Sequence, residues 1–145
     1  MIGQNDSALK LIDEIVKWAQ EQSDISGVLL VGSYAQNNAK PDSDIDIMFF
    51  VSHIELLLKD QKWLNVFGAV VSAKHEDWGA VKTLRTFYEG GLEVEFNITT
   101  PAWATIDPIG PNTFRVISDG SQVLYDSEGS LAILLRAVQD QGISL

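Results

Sequence analysis

Cysteine is absent from the 145-residue chain, so it can form neither a disulfide nor a thiolate metal site. No apolar stretch approaches the roughly 20 residues that a membrane-spanning helix needs. The first residues, Met1 to Asp6, also lack the basic region and apolar core of a secretion signal. These absences favour a cytoplasmic protein with no membrane partner.

Basic residues are scarce. Ten Lys and Arg stand against 20 Asp and Glu, which gives a formal charge of −10 and a pI near 4.4. Nucleic-acid binding depends on basic side chains that neutralise phosphates, so we expect no nucleic-acid partner. The acidic surface would attract a cationic ligand, although such a surface also simply keeps a protein in solution.

The length fits one domain, residues 1–145, without an internal repeat or a linker. Helical spacing of apolar residues predicts a first helix over residues 6–23, and Leu9, Ile12, Ile15, Val16 and Ala19 are expected on its buried face. Alternation and turn residues predict the remaining elements. These are strands near 27–31, 45–51, 69–72, 82–88, 92–98, 113–118 and 122–125, helices over 34–39, 53–59 and 131–139 (capped by Ser130), a helix or loop over 60–67, and a loop over 101–112. The order predicts an α+β fold, a mixed sheet flanked by helices.

Two aspartates open the second of these strands. Side chains alternate along a strand, so Asp44, Asp46 and Met48 are expected on one face and Ile45, Ile47 and Phe49 on the other. Neighbouring carboxylates repel each other unless a cation lies between them. Oxygen ligands of this kind suit Mg²⁺, which usually takes one or two carboxylates and completes its shell with water and phosphate oxygens.

A Gly-Ser pair ends the strand before it. Gly32 and Ser33 supply a tight turn, a hydroxyl and backbone N–H groups that can bind phosphate oxygens. The pair lacks the Gly-Lys-Ser/Thr sequence of a P-loop and the Gly-x-Ser-x-Gly elbow of hydrolases. An EF-hand starting at Asp42 is excluded, because its sixth position would be Ile47 and its twelfth His53.

These motifs together resemble the signature of the polymerase-beta-like nucleotidyltransferase superfamily: Gly32-Ser33, ten residues, then Asp44-Ile45-Asp46. The stretches Lys62 to Gly68 and Tyr88 to Glu93 are similar to the aminoglycoside adenylyltransferase branch. The resemblance implies a third carboxylate on a later strand. Glu93 and Glu95 share one strand face, so alternation leaves both open, and the family's pattern favours Glu95.

The resemblance implies a two-metal Mg²⁺ site at Asp44, Asp46 and Glu95, and an NTP held by Gly32, Ser33 and a basic residue. Many members carry an arginine after the Gly-Ser pair, where this chain has Tyr34; Lys40, Lys74, Lys82 or Arg85 could replace it. The implied function is transfer of an NMP, AMP from ATP, to a hydroxyl of a small acceptor, with aminoglycosides as the expected class.

Relatives usually add a helical domain, which a homodimer or a helical partner subunit could replace. The alternative interpretation is a binding protein, an antitoxin-like or catalytically silent relative that holds a helical partner chain. The tryptophans Trp18, Trp63, Trp78 and Trp103 are expected mainly in packing, and only Trp78 and Trp103, in predicted loops, are candidates for stacking on a ligand.

Overall fold

The computed structural model describes residues 4–143 of the chain, and the side chains of residues 6–142. Six strands form one sheet, flanked by helices on both faces. The strands are β1 (Ile25–Val31), β2 (Ile45–Val51), β3 (Val70–Asp77), β4 (Lys82–Tyr88), β5 (Glu93–Thr99) and β6 (Ser121–Asp126). The helices are α1 (Gln4–Gln20), α2 (Gly32–Ala35), α3 (Ile54–Lys59), α4 (Pro111–Asp119) and α5 (Ser130–Ile143), with short 3-10 helices at Lys62–Phe67 and Pro101–Ala104.

The sheet order is β3-β4-β5-β2-β1-β6. The central pair, β2 and β5, is parallel, whereas the other four neighbouring pairs are antiparallel. The predicted mixed sheet is therefore confirmed. Because parallel strands start at the same edge of a sheet, the first residues of β2 and β5 lie side by side.

One face of the sheet, which we call the core face, packs against α1, α3 and the 3-10 helix Lys62–Phe67. Apolar side chains from four strands and α1 bury themselves here, among them Ile15, Ile47, Phe49, Leu84 and Phe96. Aromatic rings reinforce this layer: Trp18 stacks on Trp63 with ring centroids 5.2 Å apart. Trp63 also meets Phe96 edge to face at 4.9 Å.

The opposite face, the site face, is only partly apolar. Near β1 and β2 it is covered by α4, α5 and the 3-10 helix Pro101–Ala104, whose Ala104, Ile117 and Leu134 pack on Leu29 and Phe50. Towards β4 and β5 the same face carries polar side chains instead. One part of the site face, near β1 and β2, is therefore buried under helices, and the other part, near β4 and β5, carries the polar groups described below.

Several predicted elements differ from the structure. Residues 113–118, predicted as a strand, lie in helix α4, with Pro111 in its first turn and Gly120 at its end. Those two residues are typical helix boundaries, and they were the missed signal. The predicted loop over 101–112 contains the 3-10 helix Pro101–Ala104 and the start of α4. Strand β3 is also longer than expected, reaching Asp77.

Helix details were corrected as well. Leu9, predicted on the buried face of α1, is 57% exposed, whereas Ala8 is buried. The predicted helix over 34–39 is the shorter α2, which starts at Gly32, so that Ser33 lies inside it. The start of α5 is capped by Asp126 rather than Ser130: its carboxylate accepts hydrogen bonds from the N–H groups of Leu131 and Ala132.

Within residues 4–143, no helix combines the length and the apolar character needed to cross a membrane.

Candidate active site

The predicted acidic residues converge on the site face. Asp46 of β2 is paired in register with Glu95 of β5, and Ile45 with Val94, which places Asp44 level with Glu93. Oxygen atoms of Asp44, Glu93 and Glu95 lie within 4.8 Å of one another. We call Asp44, Asp46, Glu93 and Glu95 the acidic cluster. Strand alternation had placed these side chains on a common face, and the parallel β2–β5 pair brings them together.

Asp46 is a half-buried member of the acidic cluster. Burial, followed by the charge of Asp44, raises its pKa to about 6, although a hydrogen bond from Asn97 and the charge of Arg85 act in the opposite direction. Asn97 Nδ2 donates to Asp46 Oδ1 and also to the carbonyl of Ile47, at 3.1 Å. Thr83 Oγ1 donates in turn to Asn97 Oδ1 at 2.7 Å. These consecutive hydrogen bonds fix the orientation of the Asp46 carboxylate.

Glu95 lies in the middle of the acidic cluster. Burial raises its pKa to about 7, and so do the charges of Asp46 and Asp44 and a hydrogen bond shared with Asp44, while Arg85 lowers it. A carboxyl group with such a pKa changes protonation near neutral pH, as a general base must. Glu93 carries a direct ion pair to Arg85, with Nη1 2.8 Å from its Oε2.

The Gly-Ser pair adjoins the acidic cluster, as predicted. Val31, the last residue of β1, is paired with Asp46, so that Gly32 follows directly beside it. Gly32 has a φ of +72°, and a Cβ added there would lie 3.1 Å from the Cβ of Asp46. Only glycine meets both demands without strain. Tyr34 is close enough for Asp44, after burial, to raise the pKa of its phenol.

Lys40, predicted to bind the nucleotide, is exposed. Its backbone N–H donates to Ser43 Oγ at 2.8 Å. Binding of a nucleotide by Gly32, Ser33 and Lys40 stays a prediction.

A cavity of about 680 Å³ opens beside the acidic cluster. Asp46 and Asn97 border it, as do Trp78, Trp103 and the first residues of α4, whereas Asp44, Glu93 and Glu95 lie outside its lining. Trp78 is 67% exposed. The two tryptophans predicted as candidates for stacking therefore both face this cavity, and Arg115 adds a cation to its wall.

Sequence reasoning missed two contributors. Asn97, which orients Asp46, lies two residues beyond Glu95 on the same strand face, so alternation along β5 could have identified it. Arg85 had been considered only as one of four alternative phosphate-binding cations. The structure places it against Glu93, Glu95 and Glu76 instead.

Carboxylates arranged in this way fit a divalent cation. Their oxygens are the hard ligands that Mg²⁺ prefers, and three of them are close enough to share one ion. Repulsion between the acids, which adds to burial in raising the pKa of Glu95, would be relieved by a cation between them. The donor set therefore agrees with the class of site that the fold and the Gly-Ser pair define, that of a nucleotidyltransferase.

Comparison with known proteins supports a nucleotidyltransferase and identifies a family within this class. The family model of streptomycin adenylyltransferase matches residues 6–89, and the chain belongs to this family. The match includes Gly32, Ser33, Asp44 and Asp46 and ends before Glu93.

Two relatives are aminoglycoside 6-adenylyltransferases. The chain is 35% identical over 74 residues to the one from Campylobacter jejuni, covering 49% of this chain and 26% of the relative. It is 31% identical over 64 residues to the one from Staphylococcus aureus, covering 43% of this chain and 23% of the relative. The chain therefore spans about a quarter of the length of these relatives.

A crystal structure of an aminoglycoside 6-adenyltransferase from Bacillus subtilis has a similar fold. The TM-score is 0.54 at 15% identity, over 72% of this chain and 37% of that protein. This similarity confirms the nucleotidyltransferase fold.

Proposed function

We propose that this protein transfers a nucleoside monophosphate, AMP from ATP, to a hydroxyl group of a small cationic acceptor of the aminoglycoside class. The observation that carries the proposal is the convergence of Asp44, Asp46 and Glu95 beside Gly32, with Asp46 bordering a cavity. The family assignment supports adenylyl transfer, and the names of the two relatives support the acceptor class.

The reaction joins the acceptor oxygen to the α-phosphorus of the nucleotide. The bond from that phosphorus to the oxygen bridging to the β-phosphate breaks, pyrophosphate leaves, and the acceptor hydroxyl gives up its proton. Asp44, Asp46 and Glu95 would hold Mg²⁺ together with Glu93, whose oxygen lies within 4.8 Å of oxygens of Asp44 and Glu95. The ion would supply charge stabilisation for the phosphates. The barrier otherwise lies in positioning, because the transferred group must lie in line between acceptor and leaving oxygens.

The chain's own groups have distinct parts in this proposal. Asn97 and Thr83 keep the Asp46 carboxylate in one orientation. Glu95, which adjoins Asp44 and Asp46, would accept the acceptor's proton. Backbone N–H groups at Gly32 and Ser33 bind phosphate oxygens beside the acids, with Lys40 as a further cation. The bordering cavity falls within the ~300–1,000 Å³ of typical small-molecule sites, and its tryptophans offer faces for stacking.

An acidic surface suits a cationic acceptor. The formal charge of −10 produces a field that attracts polyamine-like sugars. The same field repels the triphosphate, so nucleotide binding depends on a divalent cation. A homodimer or a helical partner subunit that completes the acceptor site is a further part of the proposal.

The test is a transfer assay with α-labelled NTPs and Mg²⁺ against a panel of aminoglycosides. We expect label from ATP on the acceptor, and a loss of at least about a thousandfold in rate for Asp46→Asn, since removing groups that act on the reacting phosphate has effects of this order. Asp13→Asn, an exposed aspartate of α1 paired with Lys17, is the matched control and should keep full activity.

Thermal stability with nucleotides separates this proposal from the binding-protein alternative. Stabilisation by ATP that requires Mg²⁺ and disappears in Asp44→Asn/Asp46→Asn supports the transferase. No shift with any nucleotide, together with no labelled product, would contradict it and favour a protein that binds a partner chain.

A further inference from the structure

Arg85 is positioned inside the acidic cluster. It is paired in register with Glu95 and projects onto the site face from the middle of β4. Nη1 lies 2.8 Å from Glu93 Oε2 and also contacts Glu95 Oε1, while Nη2 lies 3.2 Å from Glu76 Oε1. One guanidinium therefore serves three carboxylates on β3 and β5.

Two of these three carboxylates also belong to the set that could hold a cation. The oxygens of Asp44, Glu93 and Glu95 lie within 4.8 Å of one another, and Arg85 binds the last two. A divalent ion bound by Glu93 and Glu95 would share both carboxylates with Arg85, so it would either displace one of these contacts or lie close to the positive charge of the guanidinium. Glu76 lies outside the set and contacts only the other nitrogen, Nη2, so this hydrogen bond can persist when a cation binds.

We propose that Arg85 is an internal counter-ion that competes with the divalent cation for Glu93 and Glu95, and that Glu76 retains the guanidinium when the cation binds. This rests on the metal site of the proposed function. Arg85 holds the repelling acids in place before the cation arrives and weakens cation binding in return. It acts through the carboxylates and is a positioning residue.

The opposing possibility is an ion-pair network that only joins β3, β4 and β5. Such a network would stabilise the fold equally with and without a cation. Competition predicts a different result, because removing Arg85 leaves neighbouring carboxylates uncompensated until a cation replaces its charge. The effect of Arg85 on stability should therefore change when the cation is added.

The experiment measures Mn²⁺ binding to the whole protein from the electron paramagnetic resonance signal of the free ion. Mn²⁺ prefers the same oxygen ligands as Mg²⁺. The variant is Arg85→Gln, and we expect binding at least about tenfold tighter than in the natural protein, because one positive charge beside the ion is removed. In EDTA its melting temperature should fall, and saturating Mn²⁺ should restore most of the loss.

Lys82→Gln is the matched control. Lys82 lies on the same strand, is paired with Asp77 at 2.6 Å, and carries the same charge, so the variant changes net charge equally without touching the acidic cluster. Its Mn²⁺ affinity should match that of the natural protein. If Arg85→Gln does not fold, Arg85→Lys replaces it as the test variant. Lysine keeps the charge but cannot contact carboxylates through two separate nitrogens, so we expect about threefold tighter Mn²⁺ binding.

Wild-type or weaker affinity in the Arg85 variants, or equal tightening in Lys82→Gln, would overturn the inference. A melting temperature lowered to the same extent in EDTA and in Mn²⁺ would also overturn it. Mn²⁺ binding that survives in Asp44→Asn/Asp46→Asn would instead contradict the metal site of the proposed function. Binding in Arg85→Gln alone, with none in the natural protein, supports competition.

Discussion

The two faces of β5 show what the same strand can do for stability and for chemistry. Val94, Phe96 and Ile98 are fully buried in the core face. Glu93, Glu95 and Asn97 alternate with them on the site face. Burial there raises the pKa of Glu95, because it disfavours the charged carboxylate. The apolar side chains of the core face stabilise the native state, whereas the repelling acids of the site face destabilise it. Substitutions one residue apart should therefore have opposite effects.

The largest expected effect on stability comes from the core face. Phe96 contacts Phe49, Trp63 and Phe67, with ring centroids between 4.9 Å and 5.9 Å apart. Phe96→Ala removes these contacts and leaves a cavity, so we expect a loss of about 3–5 kcal/mol in the free energy of unfolding, measured by urea denaturation.

Glu95→Gln, at the neighbouring position, is the matched comparison. It should leave stability in EDTA unchanged or higher, because it removes a charge from a repelling group, and it should abolish transfer activity. Equal destabilisation by the two variants would contradict the division between the faces.

An intermediate effect is expected at Gly32, where the apolar strand β1 meets the acidic cluster. Gly32→Ala forces a side chain into a backbone with φ of +72° and places its Cβ 3.1 Å from that of Asp46. We expect a loss of about 1–3 kcal/mol in stability, and weaker Mn²⁺ binding because Asp46 must move.

Gly90→Ala separates strain from contact. Gly90 also has a positive φ, +94°, but a Cβ there meets nothing within 4 Å. It should lose stability through the backbone alone and keep the natural protein's Mn²⁺ affinity. If both variants bind Mn²⁺ equally well, the close approach of Gly32 to Asp46 has no part in the site.

The smallest expected effect is the pH dependence of stability in EDTA. In the unfolded chain Asp46 and Glu95 return to ordinary values of 3.8 and 4.5, whereas their native pKa values are about 6 and 7. Between these values the native state holds protons that the unfolded state has released. The contribution of these two groups to the free energy of unfolding is therefore greatest below about pH 4. It decreases as the pH rises from there to about 7. Burial is the main cause of both shifts; Asp44, which raises both pKa values, and Arg85, which lowers them, also face the two acids.

Asp46→Asn removes one of these protonation changes. We expect its melting temperature at pH 8 in EDTA to exceed that of the natural protein by several degrees, and the difference to vanish near pH 4. Asp13→Asn, which neutralises an exposed aspartate, should show no such change. A difference that is independent of pH would contradict the raised native pKa of Asp46.

Local patterns predicted the centre of the sheet well. The bounds of β2 and β4 agree with the structure, and alternation placed Asp44 and Asp46 opposite Ile45 and Ile47. Six of the seven residues of β2 are buried, so its apolar run identifies the strand. The Gly-Ser turn was also predictable, since Gly32 ends an apolar run.

The region around α4 was not predictable from propensity. Its Thr113, Val116 and Ile117 are β-branched residues, which favour strands. Tertiary contacts decide otherwise: Ile117 packs into the cluster under α5, and Thr113 Oγ1 donates to the carbonyl of Trp103 at 2.9 Å. The contacts of Arg85 were equally hidden, because they depend on which strands become neighbours. Nothing in the sequence near Arg85 specifies that β5 lies between β4 and β2.

The parallel pairing of β2 and β5 also has a consequence for how the chain finds its native structure. A shift of β5 by one residue against β2 would turn Glu95 towards Phe49 and Trp63 and expose Phe96 to water, because neighbouring residues point to opposite faces. The acids thus penalise a pairing shifted by an odd number of residues more strongly than apolar side chains alone would. The residues proposed to perform the reaction also select the alignment in which they can act.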